Sequence, residues 1–192
     1  MHSLSTPTGQ ALASVPDIQT RSRLLDVGGG SGAIAIELCR ACPGLEATVF
    51  DLPHVADFAA AKIAEAGLPD RIATAAGDLF ADEPYPAGHD AALLSLIMHS
   101  FTPDRDRQIL AKTLDCLPSG GLVVISELLV NDDKTGPPSA ALMSLTMLIE
   151  DEGRNYTAAE YEQWLTETGF HNPRRLALDV PGANGLIIAE KP

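Results

Sequence analysis

The segment from Leu24 to Gly32, Leu-Leu-Asp-Val-Gly-Gly-Gly-Ser-Gly, most constrains what this chain can fold into. It reads as a short apolar strand, an acid and a glycine-rich turn that opens a helix over residues 33–42. A turn this tight needs glycine, because glycine adopts positive φ freely and lets a ligand approach the main chain. A second acid follows the last glycine by 19 residues, after another apolar run. This spacing predicts a site for a nucleoside-containing cofactor, in which the second acid binds the ribose hydroxyls. The predicted contacts are the turn glycines and that acid, namely Gly28, Gly30, Gly32 and Asp51.

Asp26 indicates which cofactor the turn binds. The pattern Gly28-x-Gly30-x-x-Ala33 also satisfies the dinucleotide fingerprint, which is a weak signal by itself. A dinucleotide would place its pyrophosphate at the helix N-terminus, where a carboxylate at the mouth of the turn repels it. S-adenosylmethionine (SAM) has no phosphate and carries an ammonium and a sulfonium, which an acid attracts. We therefore expect SAM, with a dinucleotide and an empty site as the alternatives.

A third acid follows the next apolar run, in the segment Gly77-Asp78-Leu79-Phe80. Asp78 is predicted to accept a hydrogen bond from an adenine amino group, and Leu79 to pack on the adenine ring. An aspartate at a strand end also commonly caps the following turn, and for Asp78 alone this alternative stays open. The order of the three acids along the chain is what favours SAM.

Composition excludes several classes of partner. The chain has 192 residues and a formal net charge of −13, a length that suits one domain with a real core. Such a surface repels phosphate backbones and anionic lipid headgroups, so nucleic-acid and membrane partners are disfavoured. No apolar run approaches the roughly 18 residues that a membrane span needs.

The three cysteines are interpreted as structural. Cys39 and Cys42 have the C-x-x-C spacing of redox and metal sites, but they fall near the end of a predicted helix. A redox pair is expected at a helix N-terminus, where the thiolate is stabilised. Cys116 is interpreted as a packing residue on a helix face. An odd number of free cysteines suits a reducing compartment, so we expect a cytoplasmic protein.

The chain alternates apolar strands with helical stretches, which predicts a doubly wound α/β fold. The predicted sheet is mostly parallel and seven-stranded, with a C-terminal antiparallel hairpin that turns at residues 181–184. The candidate strands are 23–27, 46–50, 71–76, 90–97, 121–129, 174–180 and 185–190. Two helix starts are marked by Thr102-Pro103-Asp104 and by a capping box from Thr157 to Glu160, and Gly169 marks a helix end.

Six segments in chain order carry a family resemblance. They are residues 24–32, Phe50-Asp51-Leu52-Pro53, Gly77-Asp78-Leu79-Phe80, Met98-His99-Ser100-Phe101, residues 119–127 and residues 153–170. With them, residues 20–192 resemble the O-methyltransferases that act on phenolic and polyketide-type small molecules. This group includes the caffeic-acid and acetylserotonin enzymes and their bacterial antibiotic-tailoring relatives. The resemblance implies the class I SAM-methyltransferase fold, with S-adenosylhomocysteine as product and a small-molecule acceptor as partner.

The resemblance also implies roles for residues near the predicted switch in strand order. His99 lies at the end of the fourth predicted strand and matches the general base of the family, and Glu127 matches one of two acids that flank it. Leu52 and Ser95 fall at cofactor-binding positions, although Ser95 stands where the family often has lysine. The helix with methionines at i and i+4 contributes to the family's acceptor pocket, whereas spacing alone favours core packing. The implied acceptor-side residues are Met98, Met143, Met147 and Asn155.

The sequence departs from the family around His99. Ser100 and Phe101 replace an acid or amide followed by tryptophan, and Asn155 replaces the second flanking acid. An amide can orient an imidazole but cannot stabilise its positive charge as a carboxylate does. Base catalysis is then either weak or replaced by the positioning of an already acidic phenol.

These departures leave other functions open. The chain could be a SAM-binding family member that no longer methylates and instead performs another tailoring reaction such as hydroxylation. An NAD-dependent oxidoreductase and a non-catalytic interaction module are the further alternatives. No metal is expected, because Glu127, Asp132 and Asp133 are too weak a cluster to predict a magnesium site.

Family members also carry a helical N-terminal domain that pairs two subunits. Only about 20 residues precede the first predicted strand. We interpret residues 1–20 as a remnant of that domain or a helix, and residues 21–192 as the SAM-binding catalytic domain. The oligomeric state is therefore left open.

Overall fold

The computed structural model describes residues 2–192, with side chains from residue 5 onward. Within these residues the strands form one seven-stranded sheet in the order β3-β2-β1-β4-β5-β7-β6. The strands are β1 (Arg23–Val27), β2 (Glu46–Asp51), β3 (Ile72–Ala76), β4 (Ala91–Ser95), β5 (Leu122–Glu127), β6 (His171–Val180) and β7 (Ala183–Glu190). The first five strands are parallel, and β7 is antiparallel to both β5 and β6. The predicted doubly wound sheet with a C-terminal hairpin is confirmed.

Helices cover both faces of the sheet. They are α1 (His2–Leu12), α2 (Pro16–Gln19), α3 (Ala33–Ala41), α4 (Pro53–Glu65), α5 (Pro103–Cys116), α6 (Pro138–Glu150) and α7 (Ala158–Thr168). One core cluster joins α1, α3 and α4 to one sheet face, and a second joins α5 and α7 to the other. Strands β1, β4 and β5 are buried on both faces, which is why their sequences are continuous apolar runs.

Strand order reverses between β1 and β4. The chain builds β1, β2 and β3 outward in one direction and then returns to place β4 on the other side of β1. The connections after β1 and β4 therefore diverge and leave a crevice at the carboxyl ends of these two strands. This is where ligands bind in open α/β sheets.

The predicted helix ends are confirmed. The Thr102 hydroxyl accepts a hydrogen bond from the backbone N–H of Arg105. The capping box of α7 has both reciprocal bonds between Thr157 and Glu160. Gly169 follows α7 with a φ of 113°, the left-handed conformation that favours glycine.

Several predicted boundaries were wrong by a few residues. β4 ends at Ser95 rather than at residue 97, because Leu96 adopts a φ of 52° and leaves the extended conformation. A 3-10 turn (Met98–Ser100) follows, so His99 lies just beyond the strand. The hairpin turn is shorter than predicted, because Val180 already pairs with Ala183. β6 begins three residues earlier than predicted, at His171.

The cysteines are free thiols within the described chain. Burial raises the pKa of Cys39 and of Cys116 to about 11. Both are therefore protonated near neutral pH, which is typical of inert structural cysteines.

Among residues 2–192, none of the helices combines the length and the apolar character needed to cross a bilayer. Helix α6 does present an uncovered apolar surface to solvent. Its exposed side chains are Leu142, Leu145, Leu148 and Ile149.

Gly153 is predicted to be irreplaceable for steric reasons. A Cβ at this position would overlap the carbonyl oxygen of His99 and lie 2.6 Å from the carbonyl carbon of Ser100. We expect Gly153→Ala to lower the free energy of unfolding by at least about 2 kcal/mol, since backbone atoms cannot yield as a side chain does. Urea denaturation measures this loss.

Gly44→Ala is the matched control, because a Cβ there meets nothing within 4 Å. Its effect is expected to stay within about 0.5 kcal/mol. Equal stability of the two variants would show that the contact between residue 153 and the turn at His99 is not tight.

Candidate active site

The glycine-rich turn lies at the carboxyl end of β1, at the edge of the crevice. Gly28, Gly30 and Gly32 all have positive φ, between 57° and 71°. A Cβ on Gly28 would lie 2.8 Å from the Ile97 side chain, whereas one on Gly30 would meet nothing within 4 Å. The turn is thus packed against the segment after β4 at one end and open above Gly30.

Asp51 joins the turn to the end of β2. Its Oδ2 accepts a hydrogen bond from the Gly30 N–H at 2.8 Å, and its Oδ1 accepts one from the Leu52 N–H at 2.7 Å. The Leu52 side chain is exposed beside it. The structure therefore brings Asp51 and Leu52 to the glycine turn, and their predicted contacts with the cofactor stay a prediction.

Asp26 lies beneath the turn rather than at its mouth. It is 1% exposed, and a Cβ on Gly29 would lie 2.6 Å from the Asp26 carboxyl carbon. Its Oδ2 is buried and finds no hydrogen-bond partner in the described part of the chain. Burial, and then the charge of Asp51, raise the pKa of Asp26 to about 7. A cationic group above Gly29 would relieve this unfavourable charge, so the site fits a ligand with an ammonium or a sulfonium.

Asp78 and Leu79 lie after β3. Asp78 is exposed, and its Oδ1 accepts a hydrogen bond from the backbone N–H of Phe80 at 2.8 Å. This hydrogen bond caps the turn that follows β3, which is the alternative to adenine binding that the sequence left open for Asp78. It leaves the other carboxylate oxygen for a ligand, so a role in binding adenine stays a prediction.

Ser95 and Ser126 are direct neighbours at the ends of β4 and β5. Their hydroxyl oxygens are buried, and neither has a partner among the side chains and backbone that the structure describes. Alternation along the strands puts both on the same sheet face as Asp26. Sequence reasoning had selected Ser95 and missed Ser126, whose only signal was its place directly before Glu127.

His99 and Glu127 form a buried hydrogen-bonded pair at the switch point. The His99 Nδ1 lies 2.6 Å from Glu127 Oε2, and Glu127 is 1% exposed. Glu127 Oε1 accepts two further bonds, from the backbone N–H groups of Ile97 and Met98, each at 3.0 Å. A carboxylate only accepts, so Nδ1 carries the proton and Nε2 is the free basic nitrogen.

Burial and Glu127 oppose each other in setting the basicity of His99. Burial disfavours the charged imidazolium, but the charge and hydrogen bond of Glu127 outweigh it, with a smaller effect from Asp151. The pKa of His99 is therefore raised above its ordinary value of 6.5. The carboxylate orients the ring and also stabilises its protonated form.

The predicted acceptor-side residues differ in their surroundings. Met147 is mostly buried on α6, and its sulfur lies 3.8 Å from the Ser100 hydroxyl beside His99. Met143 is one helical turn earlier and half-buried. Met98 is fully buried in the second core cluster, a position that favours packing beneath the site over contact with an acceptor.

Asn155 is held by hydrogen bonds to the segment after β5 and to α6. Its Nδ2 donates to the Leu128 carbonyl at 2.6 Å, and its backbone N–H donates to the Ser144 hydroxyl on α6. Its Oδ1 is buried and accepts no hydrogen bond from any residue that the structure describes. This oxygen is available to a hydroxyl group of a ligand.

Sequence reasoning missed two buried residues on which the charge of Glu127 acts. Asp106 on α5 and Tyr161 on α7 are both fully buried, and the charge of Glu127 acts on each. Neither side chain has a sequence signal beyond its place on the buried face of an amphipathic helix.

A polar cavity of about 160 Å³, lined by Arg23, Thr48 and His89 among others, lies at the opposite, amino-terminal edge of the sheet. His89 is already bonded there to the Thr48 hydroxyl and the Pro86 carbonyl. The unpartnered polar groups and the His99–Glu127 pair indicate the carboxyl edge as the candidate site instead.

The sheet is doubly wound, with a glycine turn above a buried acid and a histidine–carboxylate pair at the switch point. These features define a domain of the Rossmann-like class. A family model for the O-methyltransferase domain matches residues 1–171, and the chain belongs to this family. The predicted family resemblance is confirmed.

Relatives of known name agree with this membership. A 3-hydroxy-5-methyl-1-naphthoate 3-O-methyltransferase from Streptomyces sahachiroi is 53% identical over 191 residues, which is all of this chain and 55% of that protein. An L-tyrosine C(3)-methyltransferase from Streptomyces lavendulae is 38% identical over all of this chain and 53% of that protein. The crystal structure of the SAM-dependent methyltransferase SibL in its apo form superposes on this chain with a TM-score of 0.90 at 35% identity. The match covers all of this chain and 57% of the SibL chain. The chain thus spans about half the length of the relatives it matches.

The buried charge of Asp26 predicts a pH-dependent stability. The pKa of Asp26 is raised on folding, so its ionisation destabilises the fold progressively from about pH 4 up to about pH 7. We expect Asp26→Asn to stabilise the ligand-free protein at pH 8 by on the order of 1 to 3 kcal/mol, and by much less at pH 4. The same variant should bind SAM at least about tenfold more weakly, measured by calorimetry.

Asp115→Asn is the control, because Asp115 is exposed on α5 and outside the site. It should change neither property. A loss of stability at pH 8 in Asp26→Asn, with unchanged SAM affinity, would contradict the proposed role of Asp26.

Proposed function

We propose that this chain is a SAM-dependent O-methyltransferase domain that transfers a methyl group to a hydroxyl of a small phenolic or polyketide-type aromatic molecule. The observation that carries the proposal is the buried His99–Glu127 pair, 2.6 Å apart, at the switch point beside the glycine turn. Membership of the O-methyltransferase domain family supports it.

The carboxyl edge of the sheet offers contacts for each part of the cofactor. Asp26 lies where it would attract the positively charged amino-acid portion, and Asp51 offers lone pairs to the ribose hydroxyls. Asp78 and Leu79 would contact the adenine, and Ser95 would line the site between the turn and β4. SAM supplies a methyl group whose leaving group is already activated by the sulfonium charge.

His99 then takes the proton of the acceptor hydroxyl at Nε2. Glu127 fixes the tautomer that makes this possible and stabilises the imidazolium that results. The remaining requirement is alignment of the acceptor oxygen with the methyl group, and orientation of this kind can supply roughly 7–11 kcal/mol.

The acceptor is proposed to bind beside the 3-10 turn and α6. Asn155 offers an unpaired carbonyl oxygen to a second polar group of the acceptor, and Met143 and Met147 offer adaptable apolar contact to a flat ring. The 53% identical relative is named for a hydroxynaphthoate substrate, which supports an aromatic hydroxy acid as acceptor.

C-methylation is a second candidate, because a 38% identical relative is named as a C(3)-methyltransferase of tyrosine. The family match favours methyl transfer over the NAD-dependent and non-methylating alternatives. Incubation with SAM and a panel of phenols and hydroxynaphthoates, followed by mass spectrometry and NMR of the product, distinguishes O-methyl, C-methyl and hydroxylated products.

We propose a cytoplasmic setting for this reaction. The free thiols of Cys39, Cys42 and Cys116, as the described chain has them, support a reducing compartment. The net charge of −13 supports a small-molecule acceptor over a nucleic acid.

The base assignment predicts a specific loss of activity. His99→Ala is expected to lower kcat by about 10²–10⁴-fold, the usual contribution of a positioned base, with SAM affinity nearly unchanged. Formation of S-adenosylhomocysteine measures the rate. His171→Ala, at an exposed histidine, serves as the control. A loss of less than about threefold in His99→Ala would leave His99 as a pocket residue only.

The pH dependence is predicted from the direction of the His99 shift. The rate should fall on the acid side through a pKa above the ordinary histidine value, because protonated His99 cannot act as a base. Glu127→Gln removes the charge that raises this pKa, so its acid limb should move to lower pH while kcat falls. An acid limb that stays in place in Glu127→Gln would show that another group controls it.

A further inference from the structure

Asp106 on α5 and Tyr161 on α7 are buried, and the charge of Glu127 acts on both. These three residues are named the polar cluster. Both oxygens of the Asp106 carboxyl and the Tyr161 hydroxyl are buried, and none of the three has a hydrogen-bond partner among the residues described. Both residues are fully buried. Unpaired polar atoms at this depth are costly, so each of the three is expected to find a hydrogen-bond partner.

The fold forces Asp106 into this position. Thr102 and Pro103 start α5 directly after the segment that carries His99, so the first turn of α5 packs under the site. Aromatic rings of Tyr156, Tyr161 and Trp164 pack edge to face around this region and exclude solvent.

The electrostatic surroundings favour a neutral Asp106. Burial, and then the negative charge of Glu127 on β5, raise the pKa of Asp106 to about 9, against a smaller opposing effect of Arg107 on its own helix. Burial, Glu127 and Asp106 in turn raise the pKa of Tyr161, and Asp106 also acts on Tyr156. Near neutral pH Asp106 is therefore a protonated carboxyl beside Glu127.

Glu127 has room for one more donor. A carboxylate offers about four acceptor positions. The N–H groups of Ile97 and Met98 occupy two positions on Oε1, and His99 Nδ1 occupies one on Oε2. One position on Oε2 remains.

We propose that Asp106 is a positioning residue for the His99–Glu127 pair, and that it donates its proton toward Glu127 through a buried water shared with Tyr161. A buried water typically makes about three hydrogen bonds, and Asp106, Tyr161 and Glu127 supply that number. The donor stabilises the Glu127 anion from behind without adding a second charge. The importance of Asp106 for catalysis rests on the proposed function, whereas the protonation state of Asp106 does not.

The decisive experiment is a carboxyl carbon-13 NMR titration of the full chain labelled at aspartate. The Asp106 signal, assigned by its absence in Asp106→Asn, is expected to titrate near pH 9, and the backbone amides of Ile97 and Met98 should shift with it. In Asp106→Asn these amide shifts near pH 9 should vanish. Titration of Asp106 below about pH 5 would overturn the proposal.

Tyr161→Phe tests the shared partner. Removal of the Tyr161 hydroxyl should raise the titration midpoint of Asp106, because one hydrogen-bond donor that stabilises the ionised carboxylate is lost. Thr113→Val is the matched control, because Thr113 is equally buried on α5 but its hydroxyl is bonded to the Ile109 carbonyl. It should leave the midpoint unchanged. An equal shift in both variants, or in neither, would exclude Tyr161 from the cluster.

Kinetics test the positioning role. Asp106→Asn keeps a donor and should retain kcat within about twofold, whereas Asp106→Leu should lower kcat about tenfold with little change in KM. Equal kcat values in the two variants would contradict positioning. If the chain shows no methyl transfer at all, the proposed function fails, and the titration still decides the state of Asp106.

Discussion

The site depends on the Glu127 carboxylate and the three donors that surround it. This side chain ends β5 and binds two consecutive backbone N–H groups at the exit of β4, together with the imidazole of His99. Hydrogen bonds to an ionised group are about twice as strong as neutral ones, and they compensate the cost of burying its charge. The turn that carries His99 cannot move away without leaving a buried carboxylate unpaired. Glu127 therefore fixes both the position and the tautomer of the imidazole that the proposed function uses as a base.

Strain in the backbone at Leu96 contributes to the same arrangement. Leu96 has a φ of 52°, a conformation that a leucine rarely adopts, and its N–H still donates to the Ser126 carbonyl as a continuation of the sheet. Directly after it the chain turns, and two successive N–H groups point at one oxygen of Glu127. Such a residue costs on the order of 1–3 kcal/mol. Hydrogen bonds to Glu127 in the segment directly after Leu96 offset that cost.

Features that are local in sequence could be predicted, and those set by burial could not. Glycine spacing, the Thr102 and Thr157 caps and the apolar runs of the central strands each depend on neighbouring residues, and the structure has them where the sequence indicated. The depth of Asp26 depends on how Gly29 packs over it. The burial of Ser126, Asp106 and Tyr161 depends on which atoms meet across the fold. The sequence likewise does not show that the core encloses Met98. The family resemblance identified His99 and Glu127 from the sequence. The two backbone hydrogen bonds to Glu127 Oε1 could not be predicted, because they depend on β4 and β5 being neighbours in the sheet.

The two buried aspartates show how one fold places the same residue type for opposite purposes. Asp26 and Asp106 lie on opposite faces of the sheet, and burial raises the pKa of both, to about 7 and about 9. The lower value leaves Asp26 partly ionised near neutral pH, so a cation at the glycine turn can complete its ionisation and gain from the attraction. The higher value, set also by the nearby charge of Glu127, keeps a proton on Asp106 at the same pH. In the proposed function, a carboxyl beneath the amino-acid portion of SAM carries a negative charge, whereas the carboxyl next to the His99–Glu127 pair stays neutral. Burial is the largest cause of both shifts, and Asp51 and Glu127 add to it at Asp26 and Asp106 respectively.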